Sequence, residues 1–249
     1  MQDAAQFYNA LATDYNTMTN ATRRLEDERQ VFAGLLQRLN IHRALEVGCG
    51  TGTQSFVLAH LGVEMAGSDI SEGMIAQART DADKMGLTVP FFSEDCSTEM
   101  HTPEQPYDAV FAIGNTLAHI TEDDAMARTL ANFRARLAPE GMVIVQLLNY
   151  ERLLQRQERI INIRRNENRT YIRFYDFHTE HLIFNILTIT DTNGKITHDL
   201  QSTRHTPWQR DALMDLAKPC GFSEMVTYGN LHGDPYEPQG SSNLVLVLR

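Results

Sequence analysis

The sequence predicts an α/β fold, a doubly wound and mostly parallel sheet carrying a small antiparallel insert. Three observations predict it. Short apolar runs alternate with helical-period segments from Arg43 to Leu147. A glycine cluster, Gly48-Cys49-Gly50-Thr51-Gly52, sits where the first apolar run gives way to the first of these helices. Between residues 162 and 206 the texture changes to β-rich runs with one turn sequence, Asp191-Thr192-Asn193-Gly194. At 249 residues the chain suits one large domain with an elaboration.

Residues 1–22 mix Phe7, Tyr8, Leu11 and Tyr15 with polar residues, a weak helical pattern that stops near Asn20 and reads as a mobile arm. Leu25, Phe32, Leu35, Leu36 and Leu39 then recur at helical spacing, predicting an amphipathic helix that ends near Asn40. The run 43–48 reads as a strand, followed by the glycine turn and a helix over 54–61. The unit repeats as a strand over 64–69 with a helix over 74–85, a strand over 90–95, and a strand over 107–113 with a helix over 123–137. A strand over 141–147 closes the series, and such alternation implies parallel pairing with helices on both faces. The insert reads as three antiparallel strands over 170–177, 181–190 and 196–203. A helix over 208–217, stopped by Pro219 and Gly221, and a strand over 243–248 finish the chain. The expected organisation is an arm and helix over 1–40, a binding core over 41–150, the insert over 151–206, and elements over 207–249 that complete the core sheet.

Composition narrows the function. With 32 Asp+Glu against 22 Lys+Arg the formal charge is -10, which repels a phosphate backbone, so nucleic acid is not expected as a partner. Cys49, Cys96 and Cys220 are isolated and match no zinc spacing, so they read as free thiols and no metal is expected. The N-terminal residues lack a basic segment leading into an apolar one, and no apolar run approaches the roughly 20 residues of a membrane span, which gives the expectation of a cytoplasmic protein with no membrane contact.

The glycine turn carries the chemistry. A turn between a strand end and a helix start is where nucleotides bind, and glycine keeps side chains clear of a ligand lying across the strand end. The next strand ends in Asp69, a carboxylate placed to accept both hydroxyls of a ribose in the same crevice. Gly52 comes earlier than the third glycine of a dinucleotide G-x-G-x-x-G turn, and Glu46 just ahead of the turn suits a cationic ammonium or sulfonium better than a pyrophosphate. A nicotinamide-dependent oxidoreductase remains an alternative at this point.

Leu45-Glu46-Val47-Gly48-Cys49-Gly50-Thr51-Gly52 resembles the first motif of class I S-adenosylmethionine-dependent methyltransferases, with Asp69 where their ribose-binding acid lies. Ile113-Gly114-Asn115-Thr116-Leu117-Ala118-His119, Leu148-Asn149-Tyr150-Glu151 and Pro235-Tyr236-Glu237-Pro238 are similar to segments of the glycine/sarcosine N-methyltransferase branch. The resemblance implies a seven-stranded Rossmann-like methyltransferase sheet and S-adenosylmethionine as cofactor. It places Tyr15, Arg24, Gly48, Ile113, Gly114 and His119 at the methionine end, Asp69 on the ribose, and Asp95 and Cys96 beside the adenine. Glu46, Gly50, Gly52 and Ile70 complete the expected cofactor set. Asn115, Tyr150 and Tyr175 are the expected substrate residues, and no catalytic base is assigned. Where the glycine enzymes carry an arginine for the substrate carboxylate this chain has Leu148, which forms no charge pair. Arg164, Arg165, Arg173 and Arg204 are replacement cations among which the sequence does not choose. Tyr15, Tyr150, Tyr171, Tyr175 and Tyr228 offer cation-π contacts to a methylated ammonium. The expected activity is methyl transfer to a small-molecule acceptor, an amine nitrogen foremost. A non-catalytic S-adenosylmethionine-binding regulator is the alternative from another class. The insert reads as a lid or a homo-oligomer contact.

Overall fold

The apolar runs that announce strands are buried on both faces of a central sheet, as a parallel sheet covered by helices requires. The computed structural model describes residues 2–103 and 106–249. The chain enters through α1 (Ala4–Leu11), α2 (Tyr15–Thr19) and α3 (Ala21–Arg38). It then alternates β1 (Arg43–Val47), α4 (Thr53–His60), β2 (Glu64–Asp69), α5 (Glu72–Met85), β3 (Phe91–Ser93) and β4 (Tyr107–Ala112). A 3-10 turn over Thr116–His119 leads to α6 (Asp123–Ala135), β5 (Leu137–Leu148) and α7 (Tyr150–Arg156). Four further strands follow, β6 (Ile160–Asn166), β7 (Arg169–Phe177), β8 (Leu182–Thr192) and β9 (Lys195–His205). The chain ends with α8 (Arg210–Ala217), β10 (Met225–Tyr228) and β11 (Asn243–Leu248). Among the described residues no helix is long and apolar enough to cross a membrane.

The main sheet has seven strands in the order β10-β11-β5-β4-β1-β2-β3. Neighbours from β5 to β3 run parallel, and β11 is antiparallel to both β5 and β10. This is the seven-stranded, mostly parallel sheet the sequence leads one to expect. The order reverses between β1 and β4, so the carboxyl ends of these two strands open a crevice, the usual binding place in such sheets. β5 starts earlier than its apolar run. Leu137 pairs with Tyr107, and the register shifts before Met142 pairs with Ala109. Gly141 sits in this irregularity because a Cβ there would lie 2.8 Å from the Tyr107 carbonyl oxygen.

The first 20 residues are not a loose arm. Asp3 caps α1 by accepting from the Gln6 N–H at 2.8 Å. Asn9 holds the start of α5, its Oδ1 accepting from the Ser71 hydroxyl (2.7 Å) and the Gly73 N–H (3.0 Å). Phe7, Leu11 and Met18 are buried in the core, while Tyr8 and Tyr15 turn toward the crevice. The arm's apolar residues therefore serve two surfaces, and no single stripe forms in the sequence.

The insert has four strands, not three, in the order β6-β7-β8-β9. The missed strand is β6, an edge strand with its pattern reversed: Ile163 is 59% exposed whereas Arg164 is half-buried and faces inward. This second sheet lies over the arm, with Arg169 paired to Asp14, the Gln2 N–H donating to the Ser202 carbonyl (3.3 Å), and Phe184 5.8 Å from Phe7 between ring centroids.

Replacing Phe7 by Ala is expected to cost about 3 kcal/mol of stability, as for other fully buried aromatics. Urea unfolding followed by the single tryptophan, Trp208, measures it. An unchanged midpoint would mean that the arm is not docked.

Candidate functional site

Two turns meet at the switch point. After β1 the backbone passes through Gly48 at φ +70°, and a Cβ there would sit 2.1 Å from the Thr116 Cγ2 in the turn after β4. Only glycine lets the two turns approach this closely. Two residues on, the Gly50 N–H donates to Asp69 Oδ2 (2.9 Å), while Asp69 Oδ1 accepts from the Ser71 N–H (2.8 Å). This pair ties the end of β1 to the end of β2. Burial raises the Asp69 carboxyl above its ordinary value, and the two N–H donors work against that rise.

Above the turns lies a cavity of about 420 Å³, roofed by the arm and the second sheet. Of the residues the sequence nominates, Tyr15, Arg24, Gly48, Gly50, Asp69, Ile70, Asp95, Cys96, Ile113, Gly114 and His119 all line it. Glu46 and Gly52 do not. Gly52 starts α4 behind the turn, and Glu46 lies beneath it, 1% exposed, accepting a hydrogen bond from the Ser55 hydroxyl. Burial pushes the Glu46 carboxyl up to about 8, so at neutral pH it is mostly protonated rather than the standing anion that the sequence suggests. Of the four candidate cations in the insert, Arg164 and Arg173 line the cavity. Arg165 and Arg204 are not among the lining residues.

Asn115, Tyr150 and Tyr175 lie behind the wall, linked to it by hydrogen bonds. Asn115 Oδ1 accepts from the Leu148 N–H (3.0 Å), and its Nδ2 lies 2.9 Å from the Tyr150 hydroxyl. Tyr150 meets the Tyr175 hydroxyl (3.2 Å), which meets His205 Nδ1 (3.0 Å). His205 Nε2 is 3.1 Å from His119 Nε2, which also touches the Tyr8 hydroxyl at 2.9 Å. Burial pushes His119 down to about 4 and His205 well below the ordinary histidine value, so both are neutral at pH 7. Burial also raises Cys96 to about 12, so its thiol is no nucleophile at neutral pH. Sequence reasoning missed Tyr8 and His205 as members of this cluster. The partners come from residues 8, 119, 150, 175 and 205, and no local pattern joins them.

The cavity lining combines a carboxylate, a guanidinium, a tyrosine and glycine backbone, groups suited to a ribose and to an amino acid. Asp69, Arg24 and Tyr15 all border the cavity, and Gly50 and Gly114 keep the floor clear: a Cβ at Gly50 would meet nothing closer than 3.7 Å, the Tyr15 ring, and one at Gly114 nothing within 4 Å.

Comparison with known proteins bears on the family and the fold. The methyltransferase-domain family matches residues 44–141. The glycine/sarcosine N-methyltransferase of Halorhodospira halochloris is 26% identical over 60% of this chain, and the match spans 56% of that enzyme's length. The glycine/sarcosine N-methyltransferase of Aphanothece halophytica is 22% identical over 90% of this chain and 83% of its own. The crystal structure of an S-adenosylmethionine-dependent methyltransferase from Clostridium acetobutylicum superposes with a TM-score of 0.80 at 14% identity, covering 97% of this chain and 98% of that one.

Because the folded Glu46 pKa lies above the ordinary 4.5, the folded chain holds a proton that the unfolded chain releases. Its contribution to stability is present below about pH 4.5 and is lost as pH rises through about 8. Glu46→Gln keeps an acceptor for Ser55 and removes that loss, so the cofactor-free variant is expected to gain on wild type between pH 5 and pH 9 in chemical denaturation. Parallel curves over that range would show that Glu46 is ionised throughout. The switch-point crevice, the Gly48–Gly52 turn with Asp69, and the methyltransferase-domain match over residues 44–141 support a class I S-adenosylmethionine-dependent methyltransferase with S-adenosylmethionine as cofactor.

Proposed function

We propose that the chain transfers a methyl group from S-adenosylmethionine to a small-molecule acceptor, with an amine nitrogen as the leading nucleophile. The observation that carries this reading is the roofed cavity between Asp69 and the arginines, closed over by the arm and by β6 and β7. The two relatives named above are glycine/sarcosine N-methyltransferases, which supports nitrogen as the acceptor atom.

When bound, S-adenosylmethionine supplies an electrophilic methyl: the acceptor lone pair forms the new bond, the carbon–sulfur bond breaks, and S-adenosylhomocysteine leaves. The protein's share is placement and exclusion of water. Asp69 and the Gly50 N–H hold the ribose end. Tyr15 and Arg24 hold the methionine end, and Asp95 and Cys96 border the adenine. Ile113 and Ile120 line the cavity with apolar surface and keep water away. An amine must arrive without its proton, and the positive charge of Arg164 and Arg173 lowers the proton affinity of an ammonium beside them. His119, neutral, adds no charge and anchors Tyr8 at the wall.

The test is an acceptor screen with methyl-labelled cofactor, read by mass spectrometry, with cofactor affinity measured by calorimetry. Label is expected on an amine of low mass, and Asp69→Ala is expected to weaken cofactor binding by about tenfold or more, the worth of a charged hydrogen-bond acceptor. Label on oxygen or carbon would correct the acceptor atom. Tight cofactor binding with no labelled product would instead make the chain a binding regulator.

A further inference from the structure

The second sheet is apolar on the face it turns away from the cavity. In β7, Tyr171 is buried and Arg173 lines the cavity, so Ile172 between them points outward. The register sets Ile172 opposite Ile163 of β6 on one side and Leu187 of β8 on the other, and Leu187 opposite Leu200 of β9. One apolar row thus crosses all four strands from edge to edge. Ile163 is 59% exposed and Leu200 51%. Ile189 and the exposed Ile196 lengthen the patch toward the β8–β9 turn. Among the described residues none of these six packs against either apolar core of the chain.

An antiparallel sheet with one face in water alternates apolar and polar residues along each strand. β8 does not: Leu182, Phe184 and Ile186 turn inward while Ile183, Leu187 and Ile189 turn outward, the run of a strand covered on both sides. Asn185 breaks that run, and its amide is spent within the sheet, donating to Asp176 Oδ2 (2.9 Å) and accepting from the Ser202 hydroxyl (2.6 Å). Asp176 in turn pairs with Arg159. The apolar row itself carries no charge, and Arg165, Arg204 and Asp176 stand around it with both signs, an apolar centre in a polar rim. Such a row is self-complementary, because a two-fold axis brings it against its own copy without asking for an opposite charge. The area suffices as well. With strands of 7 to 11 residues the face measures roughly 600 Å² per copy, so that two copies bury about 1,200 Å² before side-chain relief adds to it, which reaches the range of stable interfaces. A formal charge of -10 disfavours an anionic lipid surface as the occupant.

We propose that a second copy of this chain covers the outer face of β6 to β9, so that the two second sheets pack face to face as a two-fold sandwich with a cavity on each far side. The strands that meet in this contact carry Arg164 and Arg173 on their reverse side, so each copy backs the cavity wall of the other. The assembly stands independently of the acceptor and of the methyl-transfer reading.

Sedimentation velocity of the full chain across micromolar concentrations is the test, and a species of twice the chain mass is expected. Leu200→Arg and, on the opposite edge strand, Ile163→Asp are each expected to weaken the dimer by about 100-fold or more, because the two-fold axis sets an unpaired charge into the contact twice. Leu200→Met conserves apolar volume and is expected to keep it. Both charged variants replace side chains that are more than half exposed in a single copy, so they are expected to fold, which urea unfolding followed by Trp208 checks. Met85, an exposed apolar residue at the end of α5, provides the control: Met85→Asp is expected to leave the dimer intact. A monomer at every concentration overturns the proposal. So does a dimer that survives both charged variants, or one that Met85→Asp also dissociates. A monomer that co-sediments with neutral phosphatidylcholine vesicles, and no longer does so as Leu200→Arg, would give the face to a lipid surface and overturn the second copy.

Discussion

The site depends on the contact between the two turns at the switch point, where Gly48 leaves room for Thr116. The parallel sheet brings the ends of β1 and β4 side by side, and a side chain at Gly48 would drive their loops apart. With the turns held together, the Gly50 N–H reaches Asp69 across β1 and β2. The hydrogen bond fixes one oxygen of the carboxylate, the Ser71 N–H fixes the other, and the cavity gains a fixed carboxyl group in its lining. Other lining residues are assembled from distant parts of the chain: Arg24 from α3, Tyr15 from α2, and Arg164 and Arg173 from the second sheet.

Much of this was legible in the sequence where a residue's role follows from its own strand. β2 and β11 have in the sequence the bounds the structure gives: β11 because a strand buried on both faces leaves an unbroken apolar run, and β2 because it repeats the strand–turn–helix unit of β1 and ends at Asp69. The same rule brought Gly48, Gly50 and Asp69 to one place before any coordinates were considered. Where the rule failed, the chain serves two environments at once. The arm divides Phe7 and Leu11 from Tyr8 and Tyr15 between core and cavity, which blurs its helical period. β6 turns Arg164 inward and leaves Ile163 out, the opposite of the pattern that identifies a strand over a core. β10 is short and half-buried throughout, with too little alternation to be seen.

Charge placement in the lining was the least legible feature, since it depends on burial that sequence does not show. Glu46 reads as an anion from its position in the motif. Its burial beneath the turn, with a hydroxyl as its one hydrogen-bond partner, favours the protonated acid instead. Burial also sets the charge of His119 and His205. Enclosed by Phe7, Phe184 and two tyrosines, they are held neutral and act as hydrogen-bonding struts between Tyr8 and Tyr175. Apart from His119 Nδ1, which has no partner among the described residues, these polar groups bond to one another, which makes the cluster costly to disturb at any single member.

The second sheet need not be polar on its inner face to close the crevice. Apolar side chains there would exclude water at least as well and without the desolvation cost of half-buried guanidiniums. The sheet carries that cost at the two positions that face the cavity, whereas β8, packed on the arm, turns Leu182, Phe184 and Ile186 inward. The contrast within one sheet separates the part that stabilises from the part that recognises. β8 holds the roof on, and β6 and β7 place charge on the cavity wall. Leu148, at the end of β5, is apolar and not among the cavity-lining residues, and the cations of the wall stand on the second sheet instead. Local departures from the cheapest packing of this kind are expected where function rather than stability sets the residue.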